Sequence, residues 1–171
     1  MNSQEKIDIY DENKNKTGKV KIRYKDTLEP GEFIIGVQAV ILNSQKQILI
    51  SQRSELKEKA PLKWECNGGA LLSGEDAVDG IVREIYEELG IKLDKDKAIY
   101  LKTAKNAHRF KEIYLFEKDV SINDIKFADG EVIAAKWVNI EEFIRMFNSC
   151  EIVDNVDFCE EDYKKCLALL K

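Results

Sequence analysis

The sequence predicts an α/β protein of the α+β type, with a mixed β-sheet sandwiched between helices and an N-terminal β-hairpin. Three observations support this class: a chain of 171 residues fits one core, strand-like and helix-like segments both occur, and turn signals separate them. We expect residues 1–30 to form a hairpin extension packed on the core. Residues 31–171 are expected to form the main domain.

The first half of the chain contains four strand-like segments. Apolar and polar residues alternate in residues 7–10 and 20–23, with a polar, glycine-containing run between them, which indicates a hairpin. Residues 33–42 form a β-branched run that is typical of a buried strand, and residues 48–53 follow after a turn. We expect these last two strands to pair.

A helix is predicted over residues 75–89, where apolar residues recur at helical spacing and Gly90 follows as a left-handed cap. Glu75 is expected to open this helix, because a carboxylate in the first turn complements the positive end of the helix dipole. The remaining elements are strands at 99–103, 112–116 and 132–138, and two helices with capping boxes at Asn139 with Glu142 and at Asp157 with Glu160.

Composition excludes several classes of protein. With 27 basic and 32 acidic side chains the net charge is −5, which does not suggest the positive field of a nucleic-acid-binding protein. The chain has no apolar stretch of about 18 residues and no signal-peptide pattern, so we expect a cytoplasmic protein with no membrane partner. Its four cysteines show neither C-x-x-C spacing nor a metal-ligand pattern, which favours reduced structural thiols.

Three glutamates mark the predicted helix as a candidate metal site. Glu84, Glu87 and Glu88 project within an arc of roughly 100° on a helix. Their mutual repulsion at the edge of the core is costly unless a cation is present, and magnesium is the cation that carboxylate oxygens with retained waters suit best. A solvated acidic helix face is the alternative interpretation.

The surrounding spacing decides between these interpretations. Gly69, Glu75 and the run Arg83-Glu84-Ile85-Tyr86-Glu87-Glu88-Leu89-Gly90-Ile91 match every fixed position of the pattern G-x5-E-x7-R-E-U-x-E-E-x-G-U. The chain therefore resembles the Nudix hydrolase superfamily, whose box has this spacing. The resemblance implies the Nudix fold and hydrolysis of a phosphoanhydride bond in a nucleoside diphosphate derivative or a related organic diphosphate.

The resemblance also implies roles for the residues of the box. Glu84 and Glu88 would be the principal ligands of Mg²⁺, or of Mn²⁺ in its place, and the backbone of Gly69 would approach the metal. Glu87 would assist a second ion or orient the attacking water, and Arg83 would orient its neighbours. A metal-bound water would attack phosphorus, without a covalent nucleophile. A small nucleotide-like diphosphate is the expected partner, and a homodimer is left open.

Residues outside the box resemble the branch of the family that contains isopentenyl diphosphate isomerase. They include Asp8-Ile9-Tyr10-Asp11-Glu12-Asn13, Gln52-Arg53-Ser54 and Lys63-Trp64-Glu65. The isomerases carry a catalytic cysteine immediately before the first glycine of the box, where this chain has Gly68, and Cys66 lies two residues upstream. We therefore favour hydrolysis, with prenyl diphosphate isomerisation and a non-catalytic nucleotide sensor as the alternatives.

Further candidate site residues lie on both sides of the box. Arg53 is a candidate phosphate ligand because a guanidinium offers two parallel donors, and Arg23 and Lys63 are weaker candidates. Glu131 stands in a glycine-containing turn, where many Nudix enzymes place an additional glutamate that binds metal or acts as a base. Glu112 is the competing choice for that role.

Overall fold

A computed structural model describes residues 5–128, 130–154 and 156–170. Within these residues the chain forms three α-helices, α1 (Ala77–Leu89), α2 (Ile140–Asn148) and α3 (Glu160–Leu169). The strands are β1 (Lys6–Tyr10), β2 (Lys16–Ile22), β3 (Ile34–Leu42), β4 (Ile48–Arg53), β5 (Trp64–Glu65), β6 (Gly68–Ala70), β7 (Ile99–Asn106), β8 (Arg109–Glu117) and β9 (Val132–Val138). No helix in the described ranges is long and apolar enough to cross a membrane.

The main sheet is mixed, as predicted. Its strands follow the order β5-β4-β3-β8-β7, with β6 paired to β3 and β9 paired to β4. Strands β3 and β8 run parallel, from Ile34 opposite Arg109 to Leu42 opposite Glu117, and the other pairs are antiparallel. All nine residues of β3 are buried, which fits a central strand covered on both faces.

The predicted pairing of β3 with β4 is confirmed, but it is confined to one end of the two strands. They meet only at Leu42 and Ile48, next to the turn that joins them, and then separate. The segment from β5 to β6 enters this split, because Ser51 of β4 pairs with Glu65 while Gln38 of β3 pairs with Gly68. The split therefore gives the glycine pair a place inside the sheet.

Two apolar cores lie on the two faces of the sheet. Odd-numbered residues of β3 face helix α1, whose contribution to that core comes from Ile81, Ile85 and Leu89. Even-numbered residues such as Val40 and Leu42 face α2 and α3. Alternation along the strand sends successive side chains to opposite faces, so one strand supplies both cores. The predicted sandwich of a sheet between helices is confirmed.

The predicted hairpin is also confirmed. Strands β1 and β2 pair antiparallel in a sheet of their own. A bridge between Tyr10 and Phe33 joins the hairpin to the start of the main sheet, and Ile9 is fully buried in a small apolar cluster with Ala70. The division at residue 30 stays a prediction, and residues 1–4 of the proposed extension lie outside the described residues.

Two predicted helix starts are wrong. Helix α1 begins at Ala77 with Asp76 as its N-cap, so Glu75 precedes the helix and is free to turn towards other partners. Asp157 cannot cap α3 because its backbone is left-handed, with φ of 51°, whereas an N-cap residue is extended. Cys159 takes that position. The predicted cap of α2 is confirmed, since Asn139 accepts a hydrogen bond from the N–H of Glu142.

Glu32 gives a test of how the hairpin is held. Hydrogen bonds from Lys21, the N–H of Glu29 and Lys19 lower the pKa of Glu32 to about 2. We expect Glu32→Gln to be less stable than wild type at pH 7. The difference should shrink as the pH falls from the ordinary carboxyl pKa towards 2, because protonation removes the charge that these groups bind.

Urea unfolding of both proteins at a series of pH values measures this effect. Glu29→Gln is the matched control, because the Glu29 side chain is exposed and its hydrogen bonds with Glu32 are made by its backbone N–H and carbonyl groups. A difference between wild type and Glu32→Gln that did not change with pH would show that the carboxylate charge has no part in holding the hairpin.

Candidate active site

Helix α1 holds its three acidic residues at different depths. Because its apolar face is packed into the core, the neighbouring face is drawn against the sheet. Glu84 is buried, with 8% of its surface exposed, and Glu88 is half-buried. Glu87 is exposed. The helix therefore presents Glu84 and Glu88 to the split in the sheet and leaves Glu87 at the solvent edge.

Arg83 connects the acids to the loop before the helix. Its Nε and Nη2 donate to the two carboxylate oxygens of Glu75 at 2.8 and 3.0 Å. Its Nη1 donates to Glu84 at 3.1 Å and to Glu87 at 2.9 Å, and Nη2 also reaches the carbonyl oxygen of Ala70 at 3.2 Å. The donors of Arg83 are therefore shared among three carboxylates and one backbone carbonyl.

Gly69 allows the Glu84 carboxylate to lie against the backbone of β6. A Cβ at this position would overlap the carboxylate, so only glycine leaves the space that Glu84 occupies. Burial raises the pKa of Glu84, and the nearby charges of Arg83 and Arg23 oppose that rise. A buried carboxylate in contact with bare backbone thus forms the inner wall of the site.

Glu88 lies one helical turn further along and is held by an amide. Asn67 donates to its carboxylate at 3.1 Å and to the hydroxyl of Ser51 at 2.7 Å. Burial raises the pKa of Glu88 to about 8, and the negative charges of Glu65 and Glu84 contribute to the rise. At neutral pH a carboxyl group with this pKa either holds a proton or requires a nearby cation to stay ionised.

Lys57 brings the predicted residue Glu131 to the same place. It forms an ion pair with Glu131, and its charge acts on Glu88 and Glu65. Burial lowers the pKa of Lys57. The loop that carries Glu131 is tied to the end of α1, because the N–H of Ala128 donates to the carbonyl oxygen of Glu88 at 3.0 Å. Glu131 therefore lies at the rim of the glutamate cluster.

The donor set suits a hard divalent cation although it does not form a complete cage. Within the described residues, no three His, Cys, Asp or Glu side chains converge closely enough to hold a metal by themselves. Glu84 and Glu88 are nevertheless two carboxylates at which burial disfavours negative charge, beside a glycine whose missing side chain leaves room. A divalent cation would compensate that charge, with water or substrate oxygens completing its ligands.

The structure places the predicted phosphate ligands differently from one another. Arg53 donates to Glu65 at 2.7 and 3.0 Å and to the carbonyl oxygens of Lys59 and Ala60, so its guanidinium is engaged within the protein. The nearest acid to Lys63 is Asp154, at 3.8 Å. Arg23 is bound to Glu5 at 2.8 Å but remains close enough for its charge to act on Glu84.

The backbone at Gly68 leaves no space for a side chain. A Cβ there would overlap the carbonyl oxygen of Val37. Cys66, two residues earlier, has 5% of its surface exposed and packs in the core that faces α2 and α3, as expected for a structural thiol. Burial raises the pKa of Cys66 to about 12, so it is protonated at neutral pH.

The competing candidate Glu112 lies on β8 and is engaged by other groups. Its carboxylate is ion-paired with Lys14 and accepts a hydrogen bond from the hydroxyl of Tyr114 at 2.9 Å. It lines a groove with Glu75 rather than joining Glu88. Of the two alternatives, Glu131 is the one that the structure connects with the end of α1.

Three residues of the site were not among the site residues predicted from the sequence: Lys57, Glu65 and Asn67. Lys57 lies in a charged loop whose other members are mostly exposed, so nothing in its local pattern distinguishes it. Asn67 and Glu65 stand just before the first glycine of the box, and their closeness to its fixed spacing was the available signal.

Comparison with known proteins agrees with this geometry. A family model described as the NUDIX domain matches residues 32–152. The chain belongs to the Nudix hydrolase family. An uncharacterized Nudix hydrolase of Listeria monocytogenes is 33% identical over 154 residues, covering 87% of this chain and 88% of that protein. Nudix hydrolase 6 of Arabidopsis thaliana is 34% identical over 117 residues, covering 64% of this chain and 40% of that protein.

Solved structures show the same fold. The protein DR0079 of Deinococcus radiodurans has a TM-score of 0.75 at 23% identity, covering 95% of this chain and 99% of its own. A MutT protein of Methanosarcina mazei has a TM-score of 0.60 at 22% identity, covering 85% of this chain and 99% of its own. The predicted family, fold and enzyme class are confirmed, and the isomerase-like branch stays a prediction. Nudix hydrolases act on small diphosphate compounds and generally need divalent cations.

The two adjacent glycines provide a test of the site. In Gly69→Ala the new methyl group meets the end of a flexible side chain, so we expect a folded protein in which Glu84 is displaced. Its affinity for Mn²⁺, measured by calorimetry, should fall by roughly tenfold or more, as for other changes that misplace a metal ligand. In Gly68→Ala the methyl group meets backbone, so stability should fall by about 1–3 kcal/mol.

Each variant serves as the control for the other, since the two substitutions are chemically identical and adjacent. Urea unfolding and Mn²⁺ titration of both proteins separate the two effects. Unchanged Mn²⁺ affinity in a folded Gly69→Ala protein would show that the position of Glu84 beside Gly69 does not matter for metal binding.

Proposed function

We propose that this protein hydrolyses a phosphoanhydride bond in a nucleoside diphosphate derivative or a related organic diphosphate, with Mg²⁺ as cofactor. The observation that carries the proposal is the pair Glu84 and Glu88, held by one helix at the split in the sheet beside Gly69. Burial raises the pKa of both carboxyls, so both would gain from a bound cation.

Glu84 and Glu88 are the proposed ligands of Mg²⁺, with the backbone of Gly69 and the Glu87 carboxylate as further ligands. A bound Mg²⁺ would lower the pKa of the attacking water and neutralise charge on the phosphate; Mn²⁺ could supply the same chemistry. Arg83 orients Glu84 and Glu87 through the hydrogen bonds from Nη1.

Glu131 is the proposed proton acceptor or additional metal ligand, with Glu87 as the other residue that can orient water. Its ion pair with Lys57 and the attachment of its loop to the end of α1 support this assignment. Lys57 keeps a positive charge between Glu131 and Glu88, which limits the repulsion among carboxylates.

The cationic side chains around the glutamates are the proposed substrate-binding residues. Arg23 is the predicted residue whose position supports contact with an anion, because its charge reaches Glu84. Arg53 is better placed to hold the loop before β5, through Lys59, Ala60 and Glu65, than to bind phosphate directly. The contact of Lys63 with Asp154 does not support a role for Lys63 in binding phosphate. Cytoplasmic location and a homodimer stay predictions.

Two observations favour hydrolysis over prenyl diphosphate isomerisation. The position that carries a cysteine in the isomerases is Gly68, and a side chain there would overlap the backbone of β3. The nearby thiol of Cys66 is buried in the core on the α2 and α3 side, where its raised pKa keeps it protonated. Neither residue offers a thiol to a substrate at Glu84 and Glu88.

A phosphate-release screen tests the proposed function. We expect magnesium-dependent release from at least one member of a set containing nucleotide sugars, dinucleotides, nucleoside triphosphates and prenyl diphosphates. Glu88→Gln should lower the rate by about 100-fold or more, because the metal's charge stabilisation is worth several kcal/mol. EDTA should abolish the activity of the wild type.

Glu141→Gln is the matched control, an equivalent substitution at an exposed position on α2. Activity that persisted in EDTA and in Glu88→Gln would show that a metal at these glutamates is not required. Conversion of a prenyl diphosphate to its isomer without phosphate release would replace hydrolysis by isomerisation.

A further inference from the structure

Arg109, at the start of β8, carries a half-buried guanidinium. Within the part of the chain that the structure describes, its side chain takes part in no hydrogen bond or ion pair. Burial and the positive charge of Arg23 lower the pKa of Arg109, and the charges of Tyr24 and Asp157 oppose this shift only in part, although arginine stays protonated in proteins. Such a cation is costly to bury unless an anion joins it.

The side chain of Arg109 lies close to the glutamate site. It packs over Gly36 of β3, where a Cβ would lie 3.1 Å from Cδ of Arg109 and 3.2 Å from the carbonyl oxygen of Gly69. Gly69 is the residue whose missing side chain makes room for the Glu84 carboxylate. Arg109 and Glu84 therefore both approach the short strand β6.

Arg23 connects the two groups electrostatically. Its charge acts on Glu84, where it opposes the rise in pKa caused by burial, and on Arg109, where it repels. Two positive guanidiniums thus lie near one another beside a carboxylate that is a proposed metal ligand. Like charges at such a place favour a multiply charged anion between them.

The other cations near the site already have partners. Arg83 is shared among Glu75, Glu84 and Glu87, Arg53 is bound to Glu65, and Lys57 is paired with Glu131. Arg109 differs from them because, among the residues that the structure describes, no group accepts a hydrogen bond from its guanidinium. Guanidinium geometry also matches phosphate, to which it can donate two parallel hydrogen bonds.

We propose that Arg109 binds non-bridging oxygens of the substrate's diphosphate group, with the charge of Arg23 acting on the same anion. This inference rests on the proposed function and deepens it by assigning a substrate-binding residue from β8. The diphosphate would lie between Arg109 on one side and the metal held by Glu84 and Glu88 on the other. Arg109 is a binding residue in this arrangement and transfers no proton.

Calorimetric titration with inorganic pyrophosphate in EDTA tests the proposal, because no metal-dependent turnover occurs there. We expect Arg109→Gln to bind pyrophosphate at least about tenfold more weakly than wild type, the usual loss for a charge-assisted hydrogen bond. Arg109→Lys, which keeps the charge but lacks the fork of donors, should fall between the two. Arg145→Gln is the matched control, since Arg145 lies on α2 and is bound to Glu142 and Glu151.

Kinetics on any substrate found in the screen provide a second measurement. Arg109→Gln should raise KM by a larger factor than it lowers kcat, because the lost contact binds substrate before the reaction. If Arg109→Gln does not fold, Arg109→Lys takes its place in the titration. We then expect Arg109→Lys to bind pyrophosphate more weakly than wild type at an unchanged melting temperature.

Equal pyrophosphate affinity of wild type and both Arg109 variants would overturn the assignment, as would the absence of binding by the wild type. A wild type that bound pyrophosphate through Arg109 but hydrolysed no compound in the screen would count against the proposed reaction and support the assignment of Arg109. The two proposals can therefore fail separately.

Discussion

The contact of the Glu84 carboxylate with the bare backbone of Gly69 determines how helix α1 meets the sheet. Any larger residue at position 69 would push the carboxylate away. Gly69 belongs to β6, which pairs with β3 inside the split between β3 and β4. The contact between Glu84 and Gly69 thus joins the acidic helix to the interrupted sheet at the candidate site. The other glutamates take their positions from this arrangement.

Burying acids at this contact requires compensation, and the protein supplies it from several segments. Hydrogen bonds to Glu75 fix the position of the Arg83 guanidinium, and the same guanidinium donates to Glu84. Lys57 likewise forms an ion pair with Glu131 at the rim of the glutamate cluster. Asn67 and Lys57 compensate the burial of Glu88 only in part, so its pKa stays raised, and this property suits the site to a divalent cation.

Local signals predicted most of the secondary structure, and the errors have physical causes. The helix of the box is clear because apolar spacing and Gly90 act within one element. Glu75 was misplaced in the first turn because an acidic residue just before a helix resembles a first-turn residue, while the expectation that it holds Arg83 agrees with their hydrogen bonds. Asp157 failed as a cap because its backbone is left-handed and the helix begins only at Glu160, after Cys159.

The sequence by itself determined the family, the glutamates and the glycine beside them, because their fixed spacing on one loop and one helix defines a local geometry. The tertiary structure decided which charges surround them. Lys57, Glu131 and Arg109 come from separate segments, and strand pairing and loop packing bring them to the site. Contacts between distant segments depend on the whole fold, so no local pattern could show that Arg109 lies next to β6.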